Sequence, residues 1–198
     1  MLIDSRLSDF VEAVAAKTPT PGGGSVSAAV GALGAALGIM TARFSDAADV
    51  AAGLEEVKVE FLKLVDLDAE AYGQVNSAMS LPKATEEEKS RRKGAVQNAL
   101  SEAAEVPLKG MMLAARALGT LSGLGARCNK HLVSDLAGAV TFLEAAMSGC
   151  GENVKINAAA LHDAARRERL EKEHARIAAE GQALRARILK DLRKPAAK

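Results

Sequence analysis

The segment PTPGGGSVSAAVGALGAALG, residues 19–38, constrains the fold more than any other part of the chain. Two prolines and three consecutive glycines interrupt regular structure, because proline fixes φ and glycine permits positive φ. A helical pattern follows over about residues 25–44, with Ser25 as a candidate N-cap. Three glycines recur inside this helix, at a cost of about 1 kcal/mol each relative to alanine. We therefore expect another backbone or a ligand to approach this helix closely.

The glycine-rich turn itself matches neither common phosphate-binding motif. No Lys-Ser or Lys-Thr follows the glycines, and the spacing is not that of a dinucleotide fingerprint. The amides and positive dipole end of such a helix start can still bind a carboxylate, a carbonyl or a phosphate. The alternative is a tight turn before a close helix crossing. Residues 25–40 are too short and too rich in glycine and alanine for a membrane span, so we expect none.

The composition favours one helical domain over residues 1–198. Aromatic residues are only 3% with no Trp, so alanine and leucine supply most of the apolar surface. A formal net charge of +1 gives no indication of nucleic acid or of an anionic membrane as a partner. Cys128 and Cys150 lie far apart and indicate reduced thiols in a cytoplasmic protein. We expect the C-terminal residues 193–198 to be a short disordered tail.

The clearest periodicity lies in a predicted helix over about residues 53–80. Its predicted buried face is Phe61, Val65, Asp68, Tyr72, Val75 and Met79. Asp68 is the only charged member, and a carboxylate there needs a partner. It is either a structural residue that caps a neighbouring helix or an acid held in a pocket.

Similar signals predict helices over most of the remaining chain. Thr85 and Glu88 have the spacing of a capping box, and Pro107 is expected to kink or break the helix that follows. Ser134 is a candidate N-cap for a helix whose predicted buried face is Leu136, Val140, Leu143 and Met147. A charged amphipathic helix is expected to begin near Ile156. No segment alternates like a strand, so we predict an all-α bundle of long antiparallel helices.

Six segments in order resemble the cyclodeaminase/cyclohydrolase family, which includes the C-terminal domain of formiminotransferase-cyclodeaminase. They are PTPGGGS at 19–25, DAEAY at 68–72, LPKATEEEK at 81–89, VPL at 106–108, NKHLVSD at 129–135 and NVKIN at 153–157. Two features depart from the family: no lysine-rich stretch follows the small-residue helix, and His131 stands where members often have Asn. A binding element for the folate or its glutamate tail is therefore in question.

The resemblance implies a helical homodimer that acts on a folate without a cofactor or a metal. The expected reaction is hydrolysis of 5,10-methenyltetrahydrofolate to a formyltetrahydrofolate. The alternative is cyclodeamination of 5-formiminotetrahydrofolate, a lyase reaction that releases ammonia. A non-catalytic helical protein that binds folate or another partner is the third interpretation.

The resemblance and the residue chemistry together give the expected site. The predicted substrate-binding residues are Pro21, Gly22, Gly23, Gly24, Ser25, Tyr72, Lys83, Asn129, Ser134, Asn153 and Asn157. Asp135 is the predicted base, because a helix start favours its ionised form. Asp68 is the predicted acid, or its support, because an apolar surrounding makes it harder to ionise. Two carboxyl groups in unlike environments suit separate acid and base roles.

Overall fold

A computed structural model describes residues 1–192, and the predicted tail at 193–198 lies outside the described residues. Within residues 1–192 the chain forms six α-helices and no strand, which confirms the all-α prediction. The helices are α1 (Leu7–Ala15), α2 (Gly23–Arg43), α3 (Ala48–Met79), α4 (Glu86–Leu121), α5 (Val133–Ala159) and α6 (Ala164–Leu192). Short 3-10 turns precede α1 and α5.

The small-residue helix α2 is packed between α3 and α5, while α4 contacts both of these helices and α6 covers α4 and α5. Gly31 lies against the Phe61 ring and Gly38 against Leu54, so α2 and α3 run antiparallel. A Cβ on Gly31 would stand 2.5 Å from the Phe61 ring. The close approach expected from the glycines is therefore made, at this position, by a core side chain of α3.

The capping signal at the start of α4 is confirmed. Thr85 accepts a hydrogen bond from the Glu88 amide, and the Glu88 carboxylate accepts one from the Thr85 amide. The break considered at Pro107 does not occur, because α4 is one continuous helix from Glu86 to Leu121. Pro107 is buried against the other helices, and this packing outweighs the lost backbone hydrogen bond.

Two other predicted helix limits are also wrong. Ser134 is not an N-cap: α5 begins at Val133, and Ser134 lies exposed in its first turn. The last helix begins at Ala164 rather than near Ile156, since α5 continues to Ala159. The predicted buried face of α5 is confirmed, because Leu136, Val140, Leu143 and Met147 are all buried.

The predicted face of α3 is buried along only part of its length. Phe61, Val65 and Val75 are buried, but Tyr72 and Met79 are each 47% exposed. The helix continues beyond the start of α2, so its last three turns have fewer helices to pack against. Asp68 lies at this transition, half-buried at the level where α2 begins.

Two helical segments, Gly23–Arg43 and Lys130–Ala159, are long and apolar enough to span a membrane by length and composition. Of the first, 61% of the most apolar stretch is buried inside the bundle. The core helix of a soluble protein meets the same criterion, so length and composition do not test the prediction that the chain has no membrane span.

A glycine in α4 offers a stability test of the helical assignment. Gly94 has nothing within 4 Å of the position of an added Cβ. Gly94→Ala should therefore raise the free energy of unfolding by about 1 kcal/mol, because alanine loses less backbone entropy in a helix. Urea unfolding followed by circular dichroism measures the change, and an unchanged or lower midpoint would contradict it.

Candidate active site

The start of α2 is capped by a side chain from a distant part of the chain. Its N-cap residue, Gly22, offers no side chain, and the first amides of any helix lack intrahelical acceptors. Asp68 of α3 supplies one: its Oδ2 accepts hydrogen bonds from the Ser25 amide at 2.8 Å and from the Ser25 hydroxyl at 3.1 Å. Ser25 is therefore not the N-cap that its sequence position suggested. It is the third residue of the helix, and its hydroxyl donates to the carboxyl that caps it.

The other oxygen of Asp68 lies against the glycines. A Cβ on Gly24 would fall within 2.8 Å of Oδ2 and closer still to Oδ1, so only glycine fits there with Asp68 in this position. Within residues 1–192, Oδ1 accepts no hydrogen bond, and the amides of Gly23 and Gly24 donate none to a side chain. One carboxyl oxygen is thus fixed, and the other remains available to a ligand.

Burial raises the pKa of the Asp68 carboxyl above its usual value of 3.8, although the two hydrogen bonds from Ser25 oppose this shift. The direction agrees with the expectation that this carboxyl is hard to ionise. The neighbouring Cys150 thiol is buried, and burial together with the charge of Asp68 raises its pKa to about 12. Cys150 is therefore a neutral thiol beside Asp68 at physiological pH.

Both helices that flank the start of α2 continue beyond it, and we call the space between these extensions of α3 and α5, next to the glycine turn, the recess. The α3 helix continues for 11 residues beyond Asp68, to Met79, and α5 continues from Asn153 to Ala159. The Asn153 side chain is near Gly23, with its Nδ2 3.4 Å from the position of an added Cβ. Nδ2 donates to the Gly149 carbonyl at 2.9 Å, so the side-chain oxygen is left for other partners. This places an amide side chain opposite the carboxyl of Asp68.

The other residues predicted near the glycines lie on α3 and α5 or on the segments next to α2 and α3. Asn157 is one turn beyond Asn153, and its Nδ2 donates to the Ala103 carbonyl of α4 at 3.2 Å. Tyr72 is one turn beyond Asp68 and half-exposed. Pro21 is buried directly before the turn, and Lys83 is exposed in the link between α3 and α4.

A second polar cluster lies at the opposite end of α2. The Asn129 amide donates to the Ser45 hydroxyl at 2.9 Å, and its side chain donates to the Phe44 carbonyl at 3.2 Å. Asp135 and Ser134 are in the first turn of α5 nearby. The charge of Asp135 contributes to raising the pKa of the half-buried Cys128 thiol, although burial is the larger cause.

The structure does not bring the two predicted carboxyl groups together within one chain. From Ser25 to Phe44 the α2 axis rises about 29 Å at 1.5 Å per residue. Pro21, Gly22, Gly23, Gly24, Ser25, Asp68, Asn153 and Asn157 gather at the first end, whereas Asn129, Ser134 and Asp135 gather at the second. Within one chain, Asp68 and Asp135 are therefore too far apart to act on the same reacting carbon.

Cys150 is a neighbour of Asp68 that the sequence interpretation did not place in the site. Cys150 is three residues before Asn153, so the two side chains share a face of α5. This helical spacing was the sequence signal that could have placed Cys150 near the site. Within residues 1–192, no three His, Cys, Asp or Glu side chains gather closely enough to hold a metal ion.

The raised pKa of Asp68 predicts a pH-dependent stability difference for Asp68→Asn. The folded protein keeps the Asp68 proton to a higher pH than the unfolded chain, so this group favours folding below pH 3.8 and loses that contribution as pH rises through the folded pKa. Asparagine does not titrate. The melting temperature of the variant relative to wild type should therefore increase from pH 3.5 to pH 7, and a constant or falling difference would contradict the direction of the shift.

Known proteins resemble this chain over most of its length. The family model for formiminotransferase-cyclodeaminase matches residues 6–176. The formimidoyltransferase-cyclodeaminase of Rattus norvegicus is 37% identical over 167 residues, which are 79% of this chain and 31% of that protein. The chain thus spans about a third of the length of these animal relatives.

Two bacterial proteins match along nearly their whole length. The methenyltetrahydrofolate cyclohydrolase of Methylorubrum extorquens is 33% identical over 196 residues, covering 93% of this chain and 94% of that protein. The crystal structure of formiminotetrahydrofolate cyclodeaminase from Thermotoga maritima superposes with a TM-score of 0.87 at 29% identity, covering 97% of this chain and 98% of that one. Because the family model matches residues 6–176 and the Methylorubrum extorquens protein is 33% identical over 93% of the chain, this chain belongs to the formiminotransferase-cyclodeaminase family.

Proposed function

We propose that this chain hydrolyses 5,10-methenyltetrahydrofolate to a formyltetrahydrofolate in the recess at the start of α2. The observation that carries the proposal is Asp68, a half-buried carboxyl with one oxygen held by Ser25 and the other facing the glycine turn. The full-length similarity to a methenyltetrahydrofolate cyclohydrolase supports this substrate.

The charge of the substrate suits this carboxyl. The methenyl bridge between N5 and N10 is an amidinium cation, and a nearby cation favours the ionised form of an acid whose pKa is raised by burial. Binding of the substrate therefore favours the carboxylate form of Asp68 opposite the bridge carbon. Such a carboxylate is positioned to take a proton from water.

The reaction balances with water alone. Water adds to the bridge carbon and gives a tetrahedral carbon, while Oδ1 of Asp68 accepts one water proton. Cleavage of one carbon–nitrogen bond then leaves a formyl group on the other nitrogen, and the released nitrogen takes up a proton; the net products are the formyl compound and one proton. The unoccupied amides of Gly23 and Gly24 are suited to hold the developing formyl oxygen.

The remaining polar groups suit the rest of a folate. The side-chain oxygen of Asn153 is available for the edge of a pterin, which presents both donors and acceptors. Lys83 is exposed on the link after α3, where its ammonium group is able to meet a glutamate carboxylate. The same proposal includes these assignments. It also includes a homodimeric assembly, the absence of a cofactor and a cytoplasmic location.

Cyclodeamination is the second candidate, and the superposition on the Thermotoga maritima cyclodeaminase supports it. In that reaction N10 of 5-formiminotetrahydrofolate adds to the formimino carbon, and ammonia leaves as the methenyl bridge forms. Both reactions pass through a tetrahedral carbon at the same position. The same carboxyl group therefore serves either, with protonated Asp68 donating to the departing ammonia.

Absorbance of the methenyl chromophore tests both candidates with one purified protein. Loss of the signal from 5,10-methenyltetrahydrofolate supports hydrolysis, and its appearance from 5-formiminotetrahydrofolate supports deamination. The control is Met112→Ala, because Met112 is 52% exposed on α4 and takes no part in the hydrogen bonds of Asp68. If neither signal changes and calorimetry detects no folate binding, the enzymatic proposal is wrong and the non-catalytic interpretation stands.

A further inference from the structure

Helices α2 and α5 meet beside the recess through two glycines, each of which faces a polar side chain of the other helix. A Cβ on Gly149 of α5 would overlap the hydroxyl oxygen of Ser27 in α2 and stand 3.3 Å from the Ser27 Cβ. A Cβ on Gly23 of α2 would stand 3.4 Å from Nδ2 of Asn153 in α5. In both helices the polar residue comes four positions after the glycine. Each helix thus places a side chain in the space that a glycine of the other helix leaves free.

Hydrogen bonds join each polar side chain to the glycine of its own helix. The Ser27 hydroxyl donates to the Gly23 carbonyl at 2.7 Å, and Nδ2 of Asn153 donates to the Gly149 carbonyl at 2.9 Å. Ser27 is only 8% exposed, so its hydroxyl needs this acceptor. The four residues therefore form one closed set of contacts, which we call the glycine crossing.

The glycine crossing determines which atom of Asn153 is offered to a ligand. Nδ2 is held by the Gly149 carbonyl, whereas Oδ1 accepts no hydrogen bond within residues 1–192. With its nitrogen occupied, the side chain presents an acceptor beside the glycine turn. The ligand group that fits this oxygen is a hydrogen-bond donor, such as an amino group or a ring N–H of a reduced pterin.

The remaining contact between α2 and α5 determines how the helices would respond to a larger residue at position 149. A Cβ on Gly34 of α2 would stand 3.1 Å from the backbone nitrogen of Leu143, which is fully buried. This tight contact holds α5 in place on one side of Gly149, and Asn153 lies on the other side. Added volume at Gly149 would therefore move the Asn153 end of α5 away from α2. Rotation of the Ser27 hydroxyl would not prevent this, because the Cβ contact would remain and a buried hydroxyl would lose its acceptor.

We propose that Ser27 and Gly149 are positioning residues for substrate binding, because their contact holds the side-chain oxygen of Asn153 at a fixed distance from the glycine turn. The identity of the substrate in this inference rests on the proposed function. Ser27 acts by excluding a side chain at position 149, and Gly149 acts by holding Nδ2 of Asn153. A shift of α5 would weaken the contact of Asn153 with the ligand but leave Asp68 of α3 with its hydrogen bonds from Ser25. Substrate affinity and turnover should therefore respond differently.

Steady-state kinetics with 5,10-methenyltetrahydrofolate measures this difference. Gly149→Ala should raise KM about tenfold, the effect of losing one hydrogen bond to the ligand, and keep kcat within about twofold. Gly151→Ala is the matched control, because its added Cβ would stand 2.9 Å from Nε2 of His174 and so crowd α6 rather than α2. The control should keep KM within about twofold even if its melting temperature falls. An unchanged KM in Gly149→Ala, or an equal rise in Gly151→Ala, overturns the proposal.

Transfer of the side chain from one helix to the other tests the contact itself. In Ser27→Gly/Gly149→Ala the overlapping hydroxyl is absent, and the helix propensity lost at position 27 is regained at position 149. This double variant should return KM to within about threefold of the wild type. Gly149→Ala should also shift the melting temperature more favourably in a Ser27→Gly background than in the wild type. A double variant with the KM of Gly149→Ala, or equal melting shifts in both backgrounds, overturns the role of Ser27.

A second double variant tests whether Gly149 acts through Asn153. Asn153→Ala should raise KM about tenfold, because the acceptor oxygen is lost. Gly149→Ala should then raise KM no further, because the oxygen that it displaces is already absent. If the two increases instead multiply to about hundredfold, the residues act independently and the proposal is wrong.

Failure of this inference is distinguishable from failure of the proposed function. An active wild type whose KM does not respond to Gly149→Ala keeps the proposed function and rejects the positioning role. A wild type that neither turns over nor binds 5,10-methenyltetrahydrofolate and 5-formiminotetrahydrofolate, by absorbance and calorimetry, rejects both. The melting shifts in the two backgrounds then still decide whether Ser27 excludes a side chain at Gly149.

Discussion

Asp68→Asn is expected to lower the rate of methenyltetrahydrofolate turnover by about 10²–10⁴-fold, the usual contribution of general acid–base catalysis. Asparagine has nearly the same shape, and its side-chain oxygen is able to accept the two hydrogen bonds that Ser25 donates. Because asparagine caps helices about as well as aspartate, the start of α2 should stay in place. The melting temperature at neutral pH should therefore not fall, so lost turnover would report on the chemistry of the carboxyl group.

Asp66→Asn is the matched control for this experiment. Asp66 is a buried carboxyl two residues earlier on α3, where its Oδ1 accepts from the Leu2 amide rather than from α2. It should keep turnover within a few fold of wild type. If Asp68→Asn also keeps near-normal turnover per folded molecule, Asp68 is a structural cap and the proposed chemistry is wrong.

The local signals of the sequence predicted most of the fold. The capping box at Thr85 and Glu88 and the buried face of α5 depend on residues three or four positions apart, so the sequence displays them directly. Pro107 shows where such signals fail. Proline disfavours a helix interior locally, but the packing of α4 against α3, α5 and α6 stabilises the continuous helix.

The role of Ser25 as a hydrogen-bond donor to Asp68 could not be predicted from neighbouring residues in the sequence. A serine after a glycine turn has the sequence signature of an N-cap, but the actual capping group, Asp68, is 43 residues away in the chain. Only the antiparallel packing of α2 on α3 brings the two together. The sequence did leave the capping role of Asp68 open as one of two alternatives, and the structure contains that contact.

Which site residues lie together also depends on tertiary packing. The separation of Asp135 from Asn153, however, follows from their spacing in the sequence. Asp135 and Asn153 lie on the same helix, α5, and are 18 residues apart. That spacing corresponds to about 27 Å along a straight helix, which is too far for both to contact the reacting bridge of one folate. A single continuous helix over these residues therefore separates the two clusters, and the predicted buried face from Leu136 to Met147 indicated most of that helix.

Gly24→Ala is expected to reduce kcat/KM by at least about 10²-fold, since an added Cβ would occupy the present position of the Asp68 carboxyl group. The carboxyl would have to rotate away, which breaks both hydrogen bonds from Ser25 and removes the free oxygen from the recess. Alanine is otherwise favourable in a helix, so the backbone should tolerate it. The effect on turnover should thus be larger than the effect on folding.

Gly31→Ala in the same helix separates the two effects. Its Cβ would meet the Phe61 ring at 2.5 Å, in the core and two turns away from Asp68. Overpacking of this kind costs about 1–3 kcal/mol of stability, yet it leaves the contacts of Asp68 in place. Thermal melting and steady-state turnover, scaled to the folded fraction, should show Gly31→Ala as the less stable but active variant and Gly24→Ala as the folded but inactive one. If Gly24→Ala turns over substrate as fast as Gly31→Ala, the position of the Asp68 carboxyl group beside the glycine turn is not required for the reaction.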